Sequence, residues 1–147
     1  MEAFEENLFY QLAFVCSESR QTFVQHIGLS QPRHQLLTYL AQKGETSHAV
    51  LQQHLALDGA TVTRLVKQFE AEGLVSRRLD PQDNRYTLAS LTDAGRQLVA
   101  GITEAHTEFV LRLLEGISDE EQETTLHVIK RIRANIRRFQ EGDQGVE

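Results

Sequence analysis

Five polar side chains fall within eight residues: Thr61, Thr63, Arg64, Lys67 and Gln68. These are types that hydrogen-bond base edges and phosphates. Arginine offers a two-pronged fork to guanine, glutamine can read adenine, and threonine brings a versatile hydroxyl and a methyl suited to thymine. Val62, Leu65, Val66 and Phe69 interleave with them at i, i+3, i+4, i+7, which predicts an amphipathic helix over 59–72 with the polar set facing solvent. Gly59 and Ala60 keep the helix start thin, so its free N–H groups can approach a phosphate. The same pattern fits an ordinary amphipathic helix with a solvated polar face. A second basic group, Arg77, Arg78 and Arg85, flanks the turn cluster Asp80-Pro81-Gln82-Asp83-Asn84. An arginine at a hairpin tip can enter a narrow A·T-rich minor groove, and Arg85 is the candidate. Asp83, two residues earlier, can hold that guanidinium in shape. The plainer alternative is a surface Arg–Asp pair of little energetic worth.

Other chemistries find little support. There is no G-x-S-x-G, GxxxxGK[ST], HExxH or GxGxxG, so no enzyme and no cofactor is expected. The carboxylates cluster at helix starts, where capping and the helix dipole account for them. Six histidines raise the question of a metal, but no His-x3-His pair lies on a predicted helix. The i, i+2, i+4 spacing of Glu104, His106 and Glu108 splays the histidine away from the carboxylates, so no metal site is expected. His48 and His54 flank a short helix, within reach of phosphate or solvent. Cys16 falls on the apolar stripe of the first helix and is expected to pack as a small hydrophobe. A redox switch at Cys16 is the competing reading, and it would need nearby donors or cations to lower the thiol pKa.

The elements that must position these residues are mostly helical. Phe4, Leu8, Leu12, Val15, Phe23 and Ile27 predict a helix over 3–27, stopped by Gly28. Ser30 and Pro32 open the next helix, with Leu36, Leu37 and Leu40 inside. Ser47 caps a short helix over 48–55, and Asp58 caps the helix over 59–72. Two short helices and a longer one outline a helix-turn-helix. Residues 74–79 and 85–91 alternate like paired strands and predict a hairpin, or wing. Thr92 caps a helix over 93–115. Ser118 and Glu121 form a capping box opening a last helix over 119–140, and 141–147 reads as a polar tail.

The 147-residue length matches one domain, and 40% hydrophobic with 24% charged residues excludes disorder as the default. No apolar run suits a membrane span, and the start Met-Glu-Ala-Phe-Glu-Glu does not resemble a secretory signal. With one cysteine, a cytoplasmic protein is expected. The net charge of −6 looks unsuited to a polyanion, but it is unevenly spread. Residues 33–100 hold eight Lys/Arg against seven Asp/Glu, a net +1, which leaves −7 in the two ends.

Taken together, 57–70 (Leu-Asp-Gly-Ala-Thr-Val-Thr-Arg-Leu-Val-Lys-Gln-Phe-Glu), Glu-Gly-Leu-Val-Ser-Arg (72–77), Asp-Pro-Gln-Asp-Asn-Arg (80–85) and Leu-Thr-Asp-Ala-Gly-Arg (91–96) resemble the MarR (multiple antibiotic resistance regulator) family of winged helix-turn-helix transcription factors. The flanking helices occur in the expected order. The resemblance implies a mainly α fold with a small β-wing, as one domain over 1–147. In it, 30–100 form the DNA-binding core, and 3–29 and 101–140 supply dimerisation helices. It implies a homodimeric, ligand-responsive repressor on a roughly palindromic duplex operator, with the family's minor-groove arginine at Arg85 and an anionic aromatic as effector. The family often has Pro-Ser where Gly59-Ala60 stand, and two arginines where Asn84-Arg85 stand. That difference, with Tyr-Thr-Leu after Arg85, implies a weaker or more selective phosphate grip. A winged domain that binds protein instead of DNA is the other expectation kept open.

Overall fold

The computed structural model describes residues 7–143. The expected start of the first helix at 3–6, Phe4 included, and 144–147 of the expected tail lie outside the described residues, whereas 141–143, expected in that tail, continue the last helix. The elements run α1 (Leu8–Ile27), α2 (Gln31–Lys43), β1 (Thr46–Ser47), α3 (His48–Leu55), α4 (Gly59–Ala71), β2 (Val75–Leu79), β3 (Thr87–Leu91), α5 (Asp93–Leu113) and α6 (Asp119–Asp143). They divide into two compact units, the first ending at Phe109 and the second starting at Val110.

In the first unit, apolar spacing decides the packing. Leu36, Leu37 and Leu40 of α2, Leu51 of α3, and Val62, Leu65, Val66 and Phe69 of α4 close on Val75, Ala89 and Leu91 of the sheet. Each large side chain so buried contributes roughly 1.5–3 kcal/mol. The caps follow the sequence. Ser47 accepts from the Val50 N–H, and Asp58 accepts from the Thr61 N–H. Gly28 ends α1 in the left-handed region. Ser30 sits at the N-cap of α2 by backbone geometry but makes no side-chain capping bond.

The sheet has one strand more than expected. Its order is β1-β3-β2, all antiparallel, with Thr46 opposite Ala89 and Arg77 also opposite Ala89. Thr46, Ala89 and Arg77 therefore share a face, and that face is the core side, because Thr46 and Ala89 are both buried. Two residues are too few to show a period, so β1 left no pattern to read. The returning strand begins at Thr87 rather than at 85, which leaves Arg85 in the turn.

Phe23 is the buried residue of α1. Its ring stands edge-on to His34 of α2 (5.8 Å) and His106 of α5 (4.9 Å) and lies tilted against Phe109. Cys16, expected inside, is exposed instead. Leu8, Phe9, Phe14 and Val15, in the amino-terminal half of α1, are exposed with it.

In the second unit the Ser118 hydroxyl accepts from the Glu121 N–H while the Glu121 carboxylate accepts from the Ser118 N–H, the reciprocal capping box expected. Leu126, Val128, Ile136 and Phe139 of α6 are exposed, and none of its described residues is buried.

Two glycines of α5 should respond oppositely to alanine. A Cβ on Gly95 would stand 2.1 Å from the Leu74 carbonyl oxygen, whereas one on Gly101 meets nothing within 4 Å. Thermal unfolding should show Gly95→Ala losing at least about 1–3 kcal/mol through backbone displacement. Gly101→Ala should gain about 0.5–1 kcal/mol by removing a mid-helix glycine.

The histidines set a pH dependence. Burial holds His34 and His48 below the ordinary imidazole range, helped by the charge of His106 on His34 and of Arg77 on His48. On unfolding both rings return to about 6.5 and bind protons that the folded chain refuses. Stability is therefore complete above that value and lost as the pH falls below it. We expect the Tm to drop between about pH 7.5 and about pH 5.5, and to drop less in the His34→Gln/His48→Gln variant. Equal slopes in parent and variant would remove these rings from the account.

Candidate nucleic-acid interface

Burial of Val62, Leu65, Val66 and Phe69, each no more than 3% exposed, fixes the rotation of α4 about its axis. Ala60, Arg64, Lys67 and Gln68 are thereby turned out, with Gly59 and Thr63 half-buried beside them. Gly59, Ala60, Thr63, Arg64, Lys67, Gln68 and Ala71 line one open concavity of about 630 Å³. Neither Arg64 nor Lys67 forms a salt bridge with a described residue.

Thr61 is the exception on this helix. Its hydroxyl donates to Asp58 Oδ2 at 2.7 Å, while its N–H donates to Oδ1 at 2.8 Å. Both bonds hold the Asp58 carboxyl below its usual range, the hydroxyl most strongly. The side chain is half-buried and committed to the cap rather than facing solvent freely.

Arg33, Arg77 and Arg78 are already paired within the chain. Arg77 on the core side of β2 sends Nε and Nη2 to Glu70 at 3.0 and 2.8 Å, tying the end of α4 to the sheet. Arg78 reaches Glu45 at 2.8 and 2.6 Å. Arg33 grips Glu72 with two contacts of 2.8 Å and lies 4.3 Å above the Phe69 ring. The guanidinium bonds hold Glu70 and Glu45 below the usual carboxylate range. Their partners are 7, 33 and 39 residues apart in the chain, separations that no local pattern signals.

At the wing tip, Asp80 and Asp83 build the turn. The Gln82 N–H donates to Asp80 Oδ1, the Arg85 N–H to Asp83 Oδ1, and the Asp80 N–H to the Tyr86 carbonyl. Arg85 Nε and Nη2 reach the Asp83 carboxylate at 2.9 and 2.7 Å, so Asp83 both shapes the turn and holds the guanidinium. The Arg85 side chain remains 83% exposed. Leu79 and Tyr86 stand exposed beside it.

Comparison with known proteins agrees with this architecture. The MarR family model matches residues 29–87. The HTH-type transcriptional regulator YdgJ of Bacillus subtilis (strain 168) is 39% identical over 132 residues, covering 90% of this chain and 80% of its own length. The HTH-type transcriptional repressor IacR of Pseudomonas putida is 25% identical over 135 residues, covering 90% and 81%. MepR, a transcription regulator of a Staphylococcus aureus multidrug efflux pump, shares the fold with a TM-score of 0.80 at 23% identity, over 88% of this chain and 98% of its own. No described helix is long and apolar enough to cross a membrane. A helix-turn-helix with a three-stranded wing, matched by the family model and by a regulator 39% identical along most of both chains, makes this chain a member of the MarR family of DNA-binding transcriptional regulators rather than an enzyme.

Proposed function

We propose that this regulator binds duplex DNA as a homodimer on a roughly palindromic operator, as a repressor released by a small anionic aromatic compound. The observation that carries the reading is the outer face of α4, where Arg64 and Lys67 form no salt bridge with a described residue and stand beside Thr63 and Gln68. Arg64 and Gln68 read base edges, Lys67 meets phosphate, and the N–H groups at Gly59 and Ala60 lie at the positive end of the helix dipole. Arg85, aimed by Asp83, enters the minor groove. Arg77 braces the wing through Glu70.

Pairing of two copies accounts for the apolar side chains left uncovered. Leu8, Phe9, Phe14 and Val15 at one end, and Leu111, Leu113, Ile117, Leu126, Val128, Ile136 and Phe139 at the other, exceed what a lone chain buries. Residues 3–29 and 101–140 supply this contact and 30–100 read the duplex, within one domain over 1–147. A twofold dimer presents two copies of α4 to half-sites about one DNA turn apart. Relatives lend support. IacR is a repressor, a MepR mutant of TM-score 0.64 is bound to an oligodeoxyribonucleotide, and DNA binding by Bordetella bronchiseptica BpsR is regulated by 6-hydroxynicotinic acid. The operator-free form, cytoplasmic and dimeric, would be the ligand-bound one.

Pairing of Arg77, Arg78 and Arg85 with carboxylates favours a second reading, a winged domain that docks a protein instead of DNA. A salt-sensitive gel shift on duplexes selected from a randomised pool separates the two. On the selected duplex, Arg64→Ala should cost about 1–3 kcal/mol of affinity. Arg85→Ala should weaken binding and flatten the dependence on salt, since a charged contact is lost. An affinity unchanged in Arg64→Ala would deny that residue a reading role. Sedimentation of a lone protomer at micromolar concentration would sink the pairing.

A further inference from the structure

Two residues beyond the last residue of α4 stands Gly73, which adopts φ +74. The Gly73 N–H donates to the Glu70 carbonyl at 3.0 Å and the Leu74 N–H to the Phe69 carbonyl at 2.9 Å, which closes the helix in a Schellman turn. The turn's own two carbonyls are both taken by one residue, 18 or 19 positions on. The Thr92 hydroxyl donates to the Gly73 carbonyl at 2.6 Å, and the Thr92 N–H donates to the Leu74 carbonyl at 3.0 Å. The same hydroxyl accepts from the Gly95 N–H at 3.1 Å, which is the N-cap bond of α5. One side chain therefore closes the end of one helix and the start of another. The joint has no slack, because Gly95 lies so close to Leu74 that a Cβ would reach within 2.1 Å of its carbonyl oxygen. β2 begins at Val75, so the joint is also the root of the wing.

We propose that Thr92 is a positioning residue for DNA reading: by joining the last turn of α4 to the first turn of α5, its hydroxyl makes the reading helix and the wing one body. This rests on the DNA-binding reading above. Hydrogen bonds to base edges fail with small displacements, whereas attraction to phosphate falls off slowly with distance. A loosened joint thus costs discrimination between sequences before it costs affinity for DNA in general.

The test uses the full chain and three variants. Thr92→Val keeps the shape and removes the hydroxyl, and Thr92→Ser keeps the hydroxyl. Thr92→Asp keeps an acceptor for Gly95 but has no donor for Gly73, so it keeps the α5 cap should valine prevent folding. Affinity is measured for a duplex selected from a randomised pool and for a scrambled duplex of equal composition, alongside thermal unfolding and amide exchange. Thr92→Val and Thr92→Asp should lower the ratio of the two affinities about tenfold, the size of one lost base contact. Exchange at 73–75 and 95 should quicken in Thr92→Val, and Thr92→Ser should restore ratio and exchange together. A ratio preserved in Thr92→Val and Thr92→Asp overturns the proposal. So does a parallel fall of both affinities that tracks the unfolded fraction, because that marks a stabilising residue only. A parent chain that prefers no duplex overturns the DNA-binding reading and this proposal with it.

Discussion

Everything at the candidate interface depends on the burial of one ridge of α4. Val62, Leu65, Val66 and Phe69 have no more than 3% of their surface exposed, and they meet α2, α3 and the sheet together. A helix advances about 100° per residue, so a ridge at i, i+3, i+4, i+7 leaves a single strip facing away from the core. Ala60, Arg64, Lys67 and Gln68 occupy that strip because the buried ridge leaves them facing away from the core. The polar side chains contribute little to their own placement. A polar substitution at Val66 would disturb this face by turning the helix or unfolding it, without touching any side chain proposed to meet DNA.

Electrostatics then divides the cations into two classes. Arg33, Arg77, Arg78 and Arg85 each grip a carboxylate through two nitrogen–oxygen contacts or more, and most of these pairs are well exposed. Exposed pairs contribute about 0–1 kcal/mol each, so their effect is orientation rather than stability. They also neutralise. A phosphate approaching Arg85 meets Asp83 as a competitor, and the guanidinium holds the Asp83 carboxyl below its usual range. Among the described residues of 33–100, Arg96 pairs with Asp93, and Lys43, Arg64 and Lys67 form no salt bridge, so Arg64 and Lys67 put two such cations on one helix face. In the proposed complex, discrimination would rest more on α4 than on the wing.

Local patterns carried most of the fold. The ridge of α4, the caps at Asp58 and Thr92, the stop at Gly28 and the capping box at Ser118 were each legible because their signals lie within a few residues. What escaped depends on distant partners. β1 exists only because β3 offers it a ladder, with Ser47 opposite Leu88. The Arg33–Glu72 and Arg78–Glu45 pairs join residues that tertiary folding alone brings together. Cys16 was expected inside because its stripe is apolar, but an apolar stripe shows only that something must cover it. Thr61 counted as a free polar residue from its outward spacing, yet its hydroxyl answers to Asp58 three residues earlier. Asp58-x-x-Thr61 is a spacing that could have given this away, since a helix N-cap carboxylate commonly takes its donors from the third residue on.

The uneven charge of the chain follows from the same division of labour. The ends carry −7 and the most exposed large apolar side chains, Phe139 and Leu111 among them. An apolar face in an acidic setting can be covered by a second copy, because acidic residues on the remaining faces stay hydrated at little cost. The same residues are poorly suited to lie against phosphate, where like charge repels within about a Debye length, roughly 8–10 Å in physiological salt. In the proposed dimer that repulsion favours one mode of approach, the one that presents α4 and the wing to the duplex. Negative charge outside 33–100 would then lower non-specific adhesion while leaving the proposed contacts at Arg64 and Lys67 intact. A net charge of −6 is therefore compatible with the proposed binding of a polyanion, because what a polyanion meets is the local charge of the face that it approaches.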